Sequence, residues 1–124
     1  MDLGSSTDER PVLLVVDDEP TILRAISRLL STEGYVVHLA ASETEAIAHA
    51  GRLEAPPHLV VIDLWMSPTN GAELAKSMMA KGIASRFLFM SASDGASSEL
   101  PGPLVEKPFS AERFLGAISD QLAR

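Results

Sequence analysis

Residues 58 to 71 read His-Leu-Val-Val-Ile-Asp-Leu-Trp-Met-Ser-Pro-Thr-Asn-Gly, and the four apolar residues Leu59 to Ile62 stop abruptly at Asp63. Three of those four are β-branched. A run this short and this apolar, bounded by turn residues, predicts a strand buried on both faces, the pattern of a parallel sheet covered by helices. Asp63 is then presented at the carboxyl end of a core strand, the edge where ligands bind in open α/β sheets. The run Val12 to Val16 repeats the pattern and also ends in acid, at Asp17, Asp18 and Glu19.

Between such runs the periodicity switches from two to 3.6. Pro20 fits a first helical position, and a helix over 20–32 places Ile22, Leu23, Ile26, Leu29 and Leu30 on one stripe, with Gly34 as its terminator. Tyr35 to Leu39 reads as a short strand, and Ser42 with Glu45 forms a capping-box signature for a helix over 43–53 with Ala46, Ile47, Ala50 and Leu53 inward. A third helix over 71–80 is expected to bury Leu74, Ala75, Met78 and Met79, ending near Gly82. Arg86 to Met90 predicts a fourth strand, Leu104 and Val105 a brief fifth, and Ser110 caps a last helix over 111–122 with Phe114, Leu115, Ile118 and Leu122 inward. Asp94 to Pro103 has turn composition and no helical stripe, so the fourth crossover helix is expected to be shortened or irregular. Alternating strands and helices predict an α/β fold, a (βα)5 doubly wound parallel five-stranded sheet with right-handed crossovers. The chain of 124 residues suits one domain from 11 to 124, preceded by a loose polar tail over 1–10.

Composition removes several function classes. Ten basic and seventeen acidic residues give a net charge of -7, which disfavours direct nucleic-acid or anionic-membrane binding. The absence of cysteine excludes disulfides, thiolate metal sites and cysteine nucleophiles. His38, His49 and His58 show no metal-ligand spacing and carry no functional expectation. No apolar run is long enough for a bilayer and the first ten residues lack a signal-peptide core, so a cytoplasmic location is expected.

In a parallel sheet all carboxyl ends share one edge. That edge collects Asp17, Asp18, Asp63, Ser91 and Lys107. Three neighbouring carboxylates repel unless a cation lies among them, and an all-oxygen set favours a hard divalent ion such as Mg2+. A carboxylate nucleophile, a metal, an ammonium and a hydroxyl are together the set needed for phosphoryl transfer: Asp63 attacks phosphorus, the cations neutralise the equatorial oxygens, and Ser91 donates to one of them.

On these residues the chain resembles the receiver domains of two-component response regulators over about 11–122. Asp17 and Asp18 match the family's acidic pair and Asp63 its phosphorylated aspartate; Met66 and Gly71 match the loop that follows. Ser91-Ala92 matches the Ser/Thr-Ala after strand four, and Lys107-Pro108-Phe109 the Lys-Pro-Phe after strand five, with Pro108 a cis-proline candidate. The resemblance implies a flavodoxin-like sheet of order 2-1-3-4-5. It implies transfer of a phosphoryl group from a histidine kinase or histidine phosphotransfer protein to Asp63, in a signalling domain rather than an enzyme. It further implies Mg2+ held by Asp18, Asp63 and the backbone carbonyl of Trp65, with Asp17 acting mainly through water. A second copy of the chain is a candidate partner.

Three positions depart from the family's pattern. The proline usual after Met66 is displaced to Pro68, behind Ser67. The switch aromatic of strand five is Leu104, and the spacing of sixteen from Ser91 to Lys107 is short. Trp65 and Ser93 occupy positions that flank the phosphoryl group in similar receivers, where a bulky Trp65 would shield it from water. The alternatives are a degenerate receiver serving as an interaction scaffold, which Leu104 and the short crossover keep open, and an aspartate-nucleophile phosphohydrolase, which usually has Asp-x-Asp spacing. A flavin carrier of the same architecture is disfavoured by the acidic residues after Val16.

Overall fold

The apolar runs lie side by side as five parallel strands in the order β2-β1-β3-β4-β5. They are β1 (Val12–Val16), β2 (Val36–Ala40), β3 (Leu59–Asp63), β4 (Phe87–Ser91) and β5 (Leu104–Glu106). Helices α1 (Pro20–Thr32), α2 (Glu43–Arg52), α3 (Gly71–Ala80) and α4 (Ala111–Leu122) accompany them. The computed structural model describes residues 9–66, 68, 70–92 and 100–124. The fourth crossover expected to be irregular lies largely outside the described residues, as does most of the expected N-terminal tail; from Leu100 to Pro103 the chain is not helical.

Alternation along each strand sorts the core into two layers. Leu14, Val16, Val60, Ile62, Phe87 and Phe89 face a cluster completed by Ala46 and Ala50 of α2 and Leu74, Ala75 and Met78 of α3. Leu13, Val15, Leu59, Val61, Leu88, Met90 and Val105 face the opposite cluster, completed by Leu23, Ile26 and Leu30 of α1 and Phe114 and Ile118 of α4. Burying both faces of β1, β3 and β4 explains their unbroken apolar runs, while β2 and β5, at the edges, are half-exposed.

Local signals place the helix starts. Ser42 Oγ accepts from Glu45 N–H at 3.1 Å and Ser110 Oγ from Arg113 N–H at 3.0 Å. Glu45 reaches back one residue further than the reciprocal box requires, accepting from Ala41 N–H at 2.8 Å. Asn70 caps α3 by accepting from Glu73 N–H at 2.9 Å. Strands β2 and β4 run one residue later than the sequence suggests, because Pro11 C=O takes Val36 N–H at 2.9 Å and Ser91 pairs with Glu106. Two core expectations are corrected: Met79 is 46% exposed, on the flank of a stripe whose buried members are Leu74, Ala75 and Met78, and Leu53, past the last turn of α2 in extended backbone, is half-buried and joins neither cluster. Among the described residues no helix is long and apolar enough to cross a membrane.

Candidate phosphoryl-transfer site

Register brings the strand ends level. Val16 pairs with Ile62, and Asp63 with Met90, so Asp17 and Asp63 emerge side by side one step past the β1–β3 ladder. Both continue the alternation of residues facing α1 and α4. Among the described residues the buried polar side chains are Asp17, Asp63 and Ser91, all on this rim. Asp18, next in sequence, is exposed.

Lys107 arrives from the last strand. Its backbone N–H donates to Ser91 C=O at 2.7 Å, continuing the β4–β5 ladder past Glu106. Its ammonium lies 3.0 Å from Asp17 Oδ2 and 3.8 Å from Asp63 Oδ2, one cation shared between two acids. The other oxygen of Asp17 accepts from Glu19 N–H at 2.9 Å. Asp63 Oδ1 accepts from Trp65 N–H at 3.3 Å. The Lys107–Pro108 peptide bond is cis.

Burial pushes the Asp63 carboxyl up from 3.8 to about 6; Lys107 and the Trp65 N–H oppose this, whereas Asp17 and Asp18 reinforce it. One ammonium therefore does not compensate the group. Asp17, Asp18 and Asp63 each offer one oxygen, all within 4.8 Å of one another. An all-carboxylate set with an excess of negative charge fits a hard divalent cation such as Mg2+. The chemistry open to it is attack by a carboxylate on an electrophilic, anionic group whose charge is met by Lys107 and a cation.

Gly71 explains why the loop after β3 closes as it does. A Cβ there would lie 2.5 Å from Asp63 C=O and 2.6 Å from Ile62 Cγ2, so only glycine lets the start of α3 sit against the backbone of Asp63. Its N–H donates to Leu64 C=O at 2.8 Å, and Trp65 bridges Asn70 in antiparallel fashion. Pro68 is exposed, and Ser67 lies outside the described residues, as does Ser93. Ala92 is exposed and, with Ile22, Ala25, Ile26, Lys107, Pro108 and Phe109, lines an apolar groove of about 510 Å³ beside the carboxylates. Leu104 packs into the core cluster on the α2–α3 side.

A profile of the response regulator receiver domain matches residues 13–101. The chain belongs to that family. Among sequences similar to this receiver domain, the probable transcriptional regulatory protein TcrX of Mycobacterium tuberculosis is 31% identical over 115 residues, covering 87% of this chain and 48% of that protein. The response regulator MprA of Mycobacterium leprae is 30% identical over 118 residues, covering 90% of this chain and 51% of that one. The receiver domain thus spans about half the length of the curated relatives it matches. Among solved structures, the response regulator TrrA of Thermotoga maritima, in complex with Mg2+-BeF, superposes with a TM-score of 0.78 at 26% identity, covering 90% of this chain and 98% of that one. The receiver domain of the hybrid histidine kinase CckA gives a TM-score of 0.76 at 26% identity over the same fractions.

Three polar contacts in this receiver domain are not visible as sequence patterns. Trp65 Nε1–H donates to Ser91 Oγ at 3.1 Å, across the end of the β3–β4 pair. His38 on β2 and His49 on α2 share a hydrogen bond of 2.9 Å between Nδ1 and Nε2, their rings edge-on at 4.6 Å. Burial, then the neighbouring His49, hold His38 below the usual imidazole range. His58 Nδ1 accepts from Val12 N–H at 2.9 Å, tying the start of β3 to that of β1. The residue spacing suggested no partnership among the histidines, because 11 positions separate a strand residue from a helix residue that the β2–α2 turn folds back over it.

Proposed function

We propose that this receiver domain accepts a phosphoryl group on Asp63 from the phosphohistidine of a sensor histidine kinase or histidine phosphotransfer protein, and relays or switches a signal through protein contacts. The observation that carries the reading is the placement of Asp63: buried, pushed up to about 6, and 3.8 Å from the Lys107 ammonium that Asp17 also holds. A carboxylate oxygen of Asp63 forms the new bond to phosphorus as the P–N bond to the donor imidazole breaks, and the departing imidazole keeps that electron pair and is protonated. Lys107 meets the charge of the transferred group, and the Ser91 hydroxyl donates to one of its oxygens.

The cation set proposed is Asp18, Asp63 and the backbone carbonyl of Trp65. Asp17 contributes mainly through water, which suits a carboxylate whose two oxygens already accept from Glu19 N–H and Lys107. When bound, Mg2+ neutralises the carboxylates and the phosphoryl oxygens. TrrA, with its Mg2+-BeF complex, supports this assignment by similarity. Ala92 and Pro108 line the groove beside the pocket, next to Ser91 and Lys107 in sequence. Trp65 flanks the phosphoryl group and tunes its lifetime, the role expected also of Ser93, which lies outside the described residues.

Intact mass after incubation with acetyl phosphate and Mg2+ tests the reading. Addition of one phosphoryl group, lost in Asp63→Asn, is expected; an unmodified wild-type mass, or equal labelling of the variant, removes it.

A further inference from the structure

Leu104 stands where the family resemblance places a switch aromatic, yet it packs into the α2–α3 core cluster and cannot report on the pocket through a ring. The chain's single tryptophan follows β3, which flanks the Ser91 strand on the side away from β5 and Leu104. Trp65 touches the pocket twice, through its backbone N–H to Asp63 Oδ1 at 3.3 Å and its indole N–H to Ser91 Oγ at 3.1 Å. The residue is 51% exposed, so apolar burial alone does not fix the ring, whereas Ser91 is fully buried. The ring is anchored by that hydrogen bond and by the Trp65–Asn70 bridge that closes its loop.

We propose that Trp65 is a positioning residue of the phosphoryl-transfer site, acting through Ser91: its indole N–H, donated to Ser91 Oγ, aims the serine hydroxyl proton at an oxygen of the phosphoryl group on Asp63. This rests on Asp63 being the acceptor. A hydroxyl that accepts one hydrogen bond is polarised as a donor for the next, and its torsion is narrowed because one lone pair is committed. When the phosphoryl group draws on the hydroxyl proton, Ser91 Oγ becomes a stronger acceptor and the indole bond tightens. Trp65 thereby carries the state of Asp63 to a half-exposed aromatic surface, the role Leu104 cannot fill.

The test is a double-mutant cycle read by labelling rate with acetyl phosphate and Mg2+, in which the Asp63–phosphorus bond forms as the phosphorus–oxygen bond to acetate breaks and acetate leaves. Trp65→Phe keeps the ring and removes the donor, and is expected to slow labelling about fivefold, the size of one net hydrogen bond. Ser91→Ala is expected to slow it at least as much, and the double variant to match Ser91→Ala within about twofold. Labelling of Trp65→Phe at the wild-type rate, or an equal Trp65→Phe effect in the Ser91→Ala background, overturns the proposal. A second readout uses the single indole N–H resonance by 15N NMR. It is expected to shift in Ser91→Ala and, in the wild type only, on adding Mg2+ with beryllium fluoride. Normal labelling with an indole resonance unmoved by Ser91→Ala overturns this proposal alone. No labelling of the wild type, with that shift intact, overturns the Asp63 assignment and this proposal with it.

Discussion

Two polar clusters among the described residues differ in how far each satisfies itself. At the rim of β1 and β3, Asp17 and Asp63 share one lysine beside the exposed Asp18, and Asp63 is pushed up to about 6. At the β2–α2 interface, His38 and His49 complete each other with one hydrogen bond, and burial holds His38 below its ordinary range. The first cluster carries more negative charge than its own partners neutralise, and so is built to take up something from outside. The second closes on itself and reads as structure. What separates a binding pocket from a buried polar contact here is the charge left uncompensated, not the number of titratable groups.

The widest effect should come from Asp63→Asn, expected to abolish phosphoryl labelling altogether, as read by intact mass. Next in size, Lys107→Met leaves Asp17 fully buried with only Glu19 N–H as partner, and is expected to destabilise the fold by about 2 to 3 kcal/mol in urea unfolding. Asp63→Asn should by contrast stabilise the metal-free fold by about 1 to 2 kcal/mol, because a neutral amide escapes the burial cost, and Mg2+ should raise the melting temperature of the wild type more than of the variant. If Asp63→Asn is less stable than wild type without Mg2+, the rim is not under-compensated. The smallest effect expected is from His49→Phe, about 1 kcal/mol or less, since it removes one half-exposed hydrogen bond.

Acidity should divide the two clusters by sign. Asp63 has a raised folded value, about 6 against 3.8, so its contribution favours the fold below 3.8 and is lost as pH rises through about 6. His38 has a lowered folded value, so its contribution is present above 6.5 and is lost as pH falls below it. Acidification from pH 7 to 5 relieves one cluster and opposes the other. The expected result is that Asp63→Asn loses more stability over that interval than wild type, and His38→Phe less; parallel unfolding curves for all three proteins would dissolve the contrast.

Much of the carboxylate cluster was readable before any coordinates. Runs of four or five apolar residues ending in acid leave few folds other than a parallel sheet, and parallel strands send every carboxyl end to one edge, so Asp17, Asp63, Ser91 and Lys107 had to meet. The caps at Ser42 and Ser110 were legible because their chemistry is local. The histidine pair and the Trp65–Ser91 bond were not, since each depends on side-chain direction between elements, which no spacing encodes. Met79 misled because a helical stripe has a flank, and periodicity alone does not say where the neighbour's surface stops.

The Lys107 N–H bonded to Ser91 C=O at 2.7 Å, with Phe89 N–H bonded to Pro103 C=O at 2.9 Å, has a consequence for how freely this chain can vary. These two clasps fasten the final strand at both its ends, so the ammonium's address is set by the sheet and not by the length of chain that travels there from Ala92. Residues could be added or removed between Ala92 and Leu100 with the spacing of the groups at the rim left in tune.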